Sequence, residues 1–403
     1  MNNAPPTPVA ITGVGCICAP GNNLAECMES LFKGERKLGP PMRFTSSHAI
    51  TYPVFNIADD LTSLAIINTP DISRTGKLGL KAAFEAIACA GLDRQRLKSK
   101  RVGVCMGTTL GSVMNNADFY RAYLEDQDPD LAAITMYLQS NPASVIAREL
   151  ELTGPLQTVV NACSSSTDAI GIGAMWVRSG LCDIVLAGGA DELSHIACNG
   201  FISLMITDSG PCKPFDRDRR GLNLGEGAAM LVLESEDSKK ERGVQNRTFV
   251  LGYGASCDAY HLTAPHPEGR GLRRAVGEAL AACGISAPDV AFVNAHGTGT
   301  PDNDRVESHV LCDMMPGVPF LSTKGYTGHT LGAAGAIEAA FTVACLEKGA
   351  IPASAGFTTP DPELPSSPVT GEMSIPGNVA VSESLAFGGH NGVLVFGKKE
   401  VLS

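Results

Sequence analysis

Short, wholly apolar runs alternate with segments of helical period along this chain, and that alternation narrows the possible folds more than any other feature. The spacing predicts strands over 9–13, 101–106, 157–160, 183–187, 290–293, 320–322, 379–384 and 393–396. Between them it predicts helices over 23–32, 76–91, 164–178, 272–283 and 330–346, and a charged surface crossing over 234–247. A strand that is apolar at every position needs cover on both faces. The pattern therefore indicates an α/β protein with mainly parallel, doubly covered sheets. The element order runs twice, once in residues 1–240 and again in 241–403, although no residue-level repeat is visible between the halves. A chain of 403 residues also exceeds what a single core usually serves, which agrees with two halves.

Composition removes several classes of function. Hydrophobic residues at 44% and charged residues at 18% exclude a disordered chain. The net charge of −11, without a long basic run, argues against nucleic acid as a partner. Thirteen cysteines without a Cys-x-x-Cys pair argue against zinc ribbons and thioredoxin-type sites, and fit buried free thiols in the cytoplasm. Residues 1–8 lack the basic and apolar blocks of a signal peptide. The most apolar helical stretch, 331–346, is short and carries Glu338, so no membrane span is expected.

The familiar phosphate and hydrolase motifs fail. Gly13-Val14-Gly15 follows a strand, but Cys18 stands where the dinucleotide fingerprint needs glycine. Gly76-Lys77 is followed by Leu78, and neither Gly-x-Ser-x-Gly nor His-Glu-x-x-His occurs. What remains is Asn161-Ala162-Cys163-Ser164-Ser165-Ser166 at a strand-to-helix turn. A helix start offers unpaired N–H groups and partial positive charge, which lowers a thiol's pKa and favours a nucleophile. The other reading of Cys163 is a buried thiol at a tight turn. Two histidines stand at comparable strand ends in the second half. They lie in Asn294-Ala295-His296-Gly297-Thr298-Gly299-Thr300 and Ser322-Thr323-Lys324-Gly325-Tyr326-Thr327-Gly328-His329. Open α/β sheets place their sites at such ends.

Together with the opening strand and turn, residues 101–111, Ala187-Gly188-Gly189-Ala190-Asp191, Lys213-Pro214-Phe215-Asp216, Gly225-Glu226-Gly227 and Phe387-Gly388-Gly389, these motifs resemble the β-ketoacyl-(acyl carrier protein) synthases nearly end to end. The resemblance implies a thiolase-like fold of five layers, α-β-α-β-α, built from two βα halves with the site between them. It implies a decarboxylating Claisen condensation in fatty-acid or type II polyketide or polyene assembly. Cys163 would carry the acyl chain, and the N–H groups of Cys163 and Phe387 would form its oxyanion hole. His296 and His329 would hydrogen-bond the enolate oxygen from malonyl-carrier protein. Lys324 and Glu338 match an orienting ion pair. Thr298 and Thr300 are placed to bond the phosphopantetheine arm. Leu110 and Phe201 match acyl-pocket positions or ordinary core packing, and Phe387 also matches a gate to acyl entry. No metal or diffusible cofactor is implied.

The implied partners are an acidic acyl carrier protein and a second subunit. The latter makes either a homodimer or a heterodimer in which this chain is the catalytic half beside a chain-length factor. Arg74, Lys77, Arg217 and Arg219 are candidates for a carrier-docking patch or for solvated surface charge. The last loop departs from the family's frequent Asn-Ser-Phe-Gly-Phe-Gly-Gly-Thr-Asn. Here it reads Glu383-Ser384-Leu385-Ala386-Phe387-Gly388-Gly389-His390-Asn391. Ala386 replaces a glycine beside the gate. His390 adds an imidazole that either tunes substrate choice or caps the loop. A degradative thiolase would need a second catalytic cysteine near the C-terminus, whereas the last one here, Cys345, lies within a helical segment.

Overall fold

The computed structural model describes residues 7–46, 48–69, 72–109, 117–246 and 248–402. Among them, ten strands form one continuous sheet. They are β1 (Val9–Cys18), β2 (Val102–Gly107), β3 (Leu156–Val159), β4 (Ile184–Asp191), β5 (Gly227–Glu234), β6 (Thr248–Cys257), β7 (Val290–Asn294), β8 (Phe320–Leu321), β9 (Val379–Leu385) and β10 (His390–Lys398). Across the sheet they run β3-β2-β4-β5-β1-β6-β10-β9-β7-β8. β1 and β6 meet only through Val9–Ile11 and Thr248–Val250, so two five-stranded halves join at a short seam.

Three apolar clusters define the layers. Helices α1 (Arg74–Cys89) and α2 (Pro142–Leu150) pack on the outer face of the first half, against β1, β2 and β5. Helix α3 (Ser165–Arg178), the shorter α4 (His195–Ser203), α5 (Arg270–Cys283), α6 (Pro301–Met314) and α7 (Ala334–Lys348) follow in the chain. α3 and α7 pack together between the two halves, and α7 is buried over nearly its whole length. α5 and α6 cover the outer face of the second half. The result is the five-layer α-β-α-β-α arrangement that the resemblance implies.

The expectation of mainly parallel sheets is corrected. β3, β2 and β4 are mutually parallel, as are β9, β7 and β8, but β5, β1, β6 and β10 pair antiparallel through the middle. The alternation missed β5 and β6. β5 was obscured because it runs straight into the charged segment, whose first residue, Glu234, is buried at the strand's end and paired with Arg242 at 2.8 Å. β6 is interrupted by Gly252 and Gly254, which break an apolar run. Their physical reason is helix α5. A Cβ at Gly252 would lie 2.3 Å from the Ala279 carbonyl oxygen, and one at Gly254 2.2 Å from that of Ala275. Gly13 and Gly15 on β1 stand in the same relation to Ala86 and Ala82 of α1, at 2.1 and 2.2 Å. The halves therefore share a residue-level signature after all: Gly-x-Gly on the strand against alanines four apart on the helix.

Candidate active site

The chain leaves β3 at Val159 and turns sharply before α3. Ala162 takes a left-handed conformation (φ 47°), and Ala162–Ser164 form a single tight turn from which α3 continues. A non-glycine residue in that region costs about 1–2 kcal/mol, so the surroundings must enforce it. Asp168, one turn into α3, does so. Its carboxylate accepts from Asn161 Nδ2 (2.9 Å), Ser164 Oγ (3.0 Å) and the Tyr253 hydroxyl (2.9 Å). Ser165 Oγ closes back on the Ala162 carbonyl at 2.6 Å. Cys163 is thereby held at the start of a central-layer helix with its sulfur facing the second half.

His329 Nε2 lies 3.0 Å from the Cys163 sulfur. Its Nδ1 accepts from the Leu331 backbone N–H at 3.2 Å, which leaves the ring proton on Nε2. His296 is fixed the same way. Lys324 Nζ donates to its Nδ1 (3.1 Å), to its carbonyl (2.6 Å) and to Glu338 Oε1. Three donors meet three acceptors, so Lys324 is saturated and buried between the His296 ring and Glu338. The two imidazoles sit edge to face, 5.3 Å between centroids. The Cys163 sulfur and one ring nitrogen from each histidine all lie within 4.8 Å of one another.

The electrostatics give each group a definite state. Burial and the Lys324 charge hold both histidines well below the usual imidazole range, so both are neutral Nε2–H donors at neutral pH. Burial pushes Glu338 up to about 7 against the pull of Lys324. It pushes the Cys163 thiol up to about 11, opposed by the Lys324 charge and by the Phe387 N–H directed at the sulfur. Desolvation thus opposes the lowering that the helix start brings to this thiol. Two donors, His329 Nε2–H and Phe387 N–H, nonetheless aim at the sulfur and favour its anion.

A cavity of about 200 Å³ opens above these groups. Thr298 and Thr300 line it and hydrogen-bond each other at 2.8 Å. Phe201, from α4, lines it too and stacks on Phe387, 5.6 Å between centroids and 15° between planes. His390 is half-buried on the same wall and lines the cavity, while its carbonyl accepts from Ala386 N–H at 2.8 Å across the loop. Ala386 is ordinary extended backbone (φ −130°, ψ 152°), which needs no glycine. Leu110 lies outside the described residues. Two docking candidates are corrected: Arg74 is bound to Glu226 at 2.9 Å and Arg219 to Asp361 at 2.5 Å, both with little exposure. Arg217 remains exposed beside Asp218, and Lys77 is half-buried.

Sequence reasoning assigned no role to three carboxylates that hold the loops. Glu307 on α6 accepts the backbone N–H groups of His296 (2.5 Å) and Gly297 (2.7 Å). Asp304, one turn earlier, accepts from Phe215 and Gly299. Asp191 accepts from Thr108, Thr109 and Gly332, tying the halves together. The available signal was the acidic pair one helical turn apart, directly after the His296 loop.

Comparison with known proteins agrees with this geometry. Residues 6–239 match the family described as "Beta-ketoacyl synthase, N-terminal domain" and residues 248–358 its C-terminal domain. The 3-oxoacyl-[acyl-carrier-protein] synthase 2 of Synechocystis is 32% identical, over 99% of this chain and 100% of that one. Its namesake in Staphylococcus aureus (strain COL) is 33% identical over 97% and 98%. The solved ishigamide ketosynthase/chain length factor superposes with a TM-score of 0.92 at 32% identity, covering 98% of this chain and 99% of that one. With both family halves matched and relatives a third identical along nearly their whole length, the chain belongs to the β-ketoacyl synthase family.

Proposed function

We propose that the protein is a condensing enzyme that joins an acyl group to a malonyl unit carried on acyl carrier protein. The Cys163 thiol gives up its proton as its sulfur attacks the acyl thioester, the carrier's pantetheine sulfur takes up that proton and leaves as the thiol, and the acyl group stays on Cys163. Malonyl-carrier protein then binds. Its carbon–carboxylate bond breaks, CO2 departs, and the electron pair forms an enolate. That oxygen meets His296 and His329 as Nε2–H donors. The enolate carbon attacks the acyl carbonyl, whose oxyanion meets the Cys163 and Phe387 N–H groups. The Cys163 thiolate leaves, and a β-ketoacyl-carrier protein two carbons longer is released. Neutral imidazoles suit this role because a donor, not a base, is required.

The observation that carries the reading is the pair of proton-bearing Nε2 atoms held beside one sulfur. It requires no metal or diffusible cofactor, since the substrates arrive on phosphopantetheine. β3 is a free sheet edge, with Leu156 44% and the adjoining Val160 62% exposed, which supports a paired subunit. A chain-length factor is one such partner, as named for the ishigamide protein, and a second copy is the other. Thirteen unpaired thiols support a reducing compartment, the cytoplasm, and among the described residues no helix is long and apolar enough to cross a membrane. A degradative thiolase is disfavoured because Cys345 is buried within α7, far from serving as a second catalytic thiol. The direct test supplies acyl- and malonyl-carrier proteins and follows CO2 release with product mass. Condensation to the two-carbon-longer β-ketoacyl product is expected. Acyl exchange to coenzyme A without CO2 release would assign the chain to the degradative class.

A further inference from the structure

Glu383 lies near the end of β9, fully buried, and among the described residues neither of its carboxyl oxygens receives an N–H or O–H. The group that bears on it, by charge and as a hydrogen-bond partner, is a second carboxyl, that of Glu307 on α6. Two carboxyl groups bond to each other only when one keeps its proton. Glu307 is the anion of the pair, because it already accepts from His296 N, Gly297 N and Asn303 Nδ2 (3.1 Å). Glu383, with no donor of its own, is left to hold the proton.

Building on the condensing reading, we propose that Glu383 is a positioning residue that works as a neutral acid. Its O–H donates to the Glu307 carboxylate, and Glu307 in turn holds the backbone N–H groups of His296 and Gly297. The outcome is that His296 keeps its Nε2–H directed at the enolate oxygen. The resembling enzymes often have asparagine at this place, an amide that donates without titrating. Glutamate makes the same contact conditional on pH.

The surroundings determine which state prevails. Facing this pair are Asp304 from α6, Glu338 from α7 and Lys324 after β8, with His296 beside Lys324. Lys324 is already spent on Glu338 and His296, so a further negative charge at Glu383 has no counter-ion. Burial and the Glu307 charge hold Glu383 protonated well above the usual carboxylate range. The protonated form is therefore the working form, present at neutral pH and lost as pH rises through its raised pKa. Ionisation ends the donation to the Glu307 carboxylate and sets two like charges behind the His296 loop, so it slows decarboxylation and spares acyl loading.

The test compares the full-length wild type with Glu383→Gln and Glu383→Ala. It measures malonyl decarboxylation and Cys163 acyl loading from neutral to alkaline pH. The wild type is expected to lose decarboxylation at its alkaline limb by about tenfold per pH unit while loading does not fall. Glu383→Gln is expected to keep the wild-type rate at neutral pH and to lack that limb. Glu383→Ala is expected to decarboxylate about tenfold or more slowly than the wild type at neutral pH and to lack the alkaline limb, since a donor to a charged acceptor is gone. Infrared difference spectra should show a protonated-acid carbonyl band that disappears in Glu383→Gln, a readout independent of turnover. An unchanged alkaline limb in Glu383→Gln, a neutral-pH loss as deep as that of Glu383→Ala, or no such band in the wild type overturns the proposal. A wild type that releases no CO2 at any pH overturns the condensing reading itself.

Discussion

The same tight turn is built twice in this molecule and used in opposite ways. In the first half Asn161-Ala162-Cys163-Ser164 follows β3 and opens α3. In the second, Thr330-Leu331-Gly332-Ala333 comes after β8 and opens α7. Each carries one left-handed residue, Ala162 at φ 47° and Leu331 at φ 54°, and each feeds a central-layer helix. The third residue differs. Cys163 points its sulfur into a cavity. Gly332 has no room for any side chain: a Cβ there would lie 2.5 Å from the Thr108 carbonyl carbon and from the Thr109 nitrogen, and 2.8 Å from Asp191 Oδ2. Its N–H instead donates to Asp191 at 2.7 Å. One turn presents a thiol to the cavity, and its counterpart fastens the halves together. Catalytic identity thus resides in the space around the turn more than in its backbone.

Four substitutions or titrations press on that difference. Rewriting the first turn in the image of the second, by Cys163→Gly, removes the group that carries the acyl chain. Condensation should fall by about a thousandfold or more, and intact mass spectrometry should show no acyl adduct. An adduct of undiminished yield would place the nucleophile elsewhere. His329→Ala removes one of two donors at the enolate oxygen. Malonyl decarboxylation should drop by roughly 10²–10³, the usual effect of deleting one such donor, while the Cys163 adduct still forms. Decarboxylation at the wild-type rate would show that His329 serves the sulfur alone.

Gly332→Ala probes the other turn. Overpacking a filled interior costs typically about 1–3 kcal/mol, and here the obstructing atoms are mostly backbone, which yields least. A lower urea midpoint with an unchanged slope is expected, and any enzyme that remains folded should still acquire its acyl adduct. Wild-type stability in this variant would mean that the two turns are not packed as differently as their geometry indicates.

Much of this arrangement was legible in the residues, and the limits are physical. Outer strands and helices declared themselves because each is apolar at one period. The two histidines were legible because glycine-flanked residues at strand ends have few structural reasons to exist, and Cys163 because it stands among small residues at a strand-to-helix turn. The antiparallel middle was not legible. Gly252 and Gly254 break the run of β6 for the sake of α5, a neighbour that lies distant in sequence. Arg74 and Arg219 read as docking charges, since nothing local reveals that Glu226 and Asp361 fold back onto them. Glu383 carries no local signal for the same reason: what bears on it is Glu307, on an element distant in sequence.

The smallest effect concerns how the Cys163 thiol balances burial against its helix start. Both turns stand before a helix's positive end, but only the first has a group that titrates there. Burial holds that thiol up at about 11, so below this value the thiolate fraction grows with pH. The rate of Cys163 alkylation by iodoacetamide should therefore climb about tenfold per pH unit, from about pH 7 to about pH 9, with no plateau. Peptide mass spectrometry reads this site by site, and the exposed Cys89 in the same digest controls for reagent decay. No inflection is expected near pH 6.5, because both histidines are held neutral throughout. A plateau reached below about pH 8 would mean that the helix start, His329 and Phe387 together outweigh desolvation. The resting site would then hold a preformed thiolate, and the two turns would differ in charge as well as in shape.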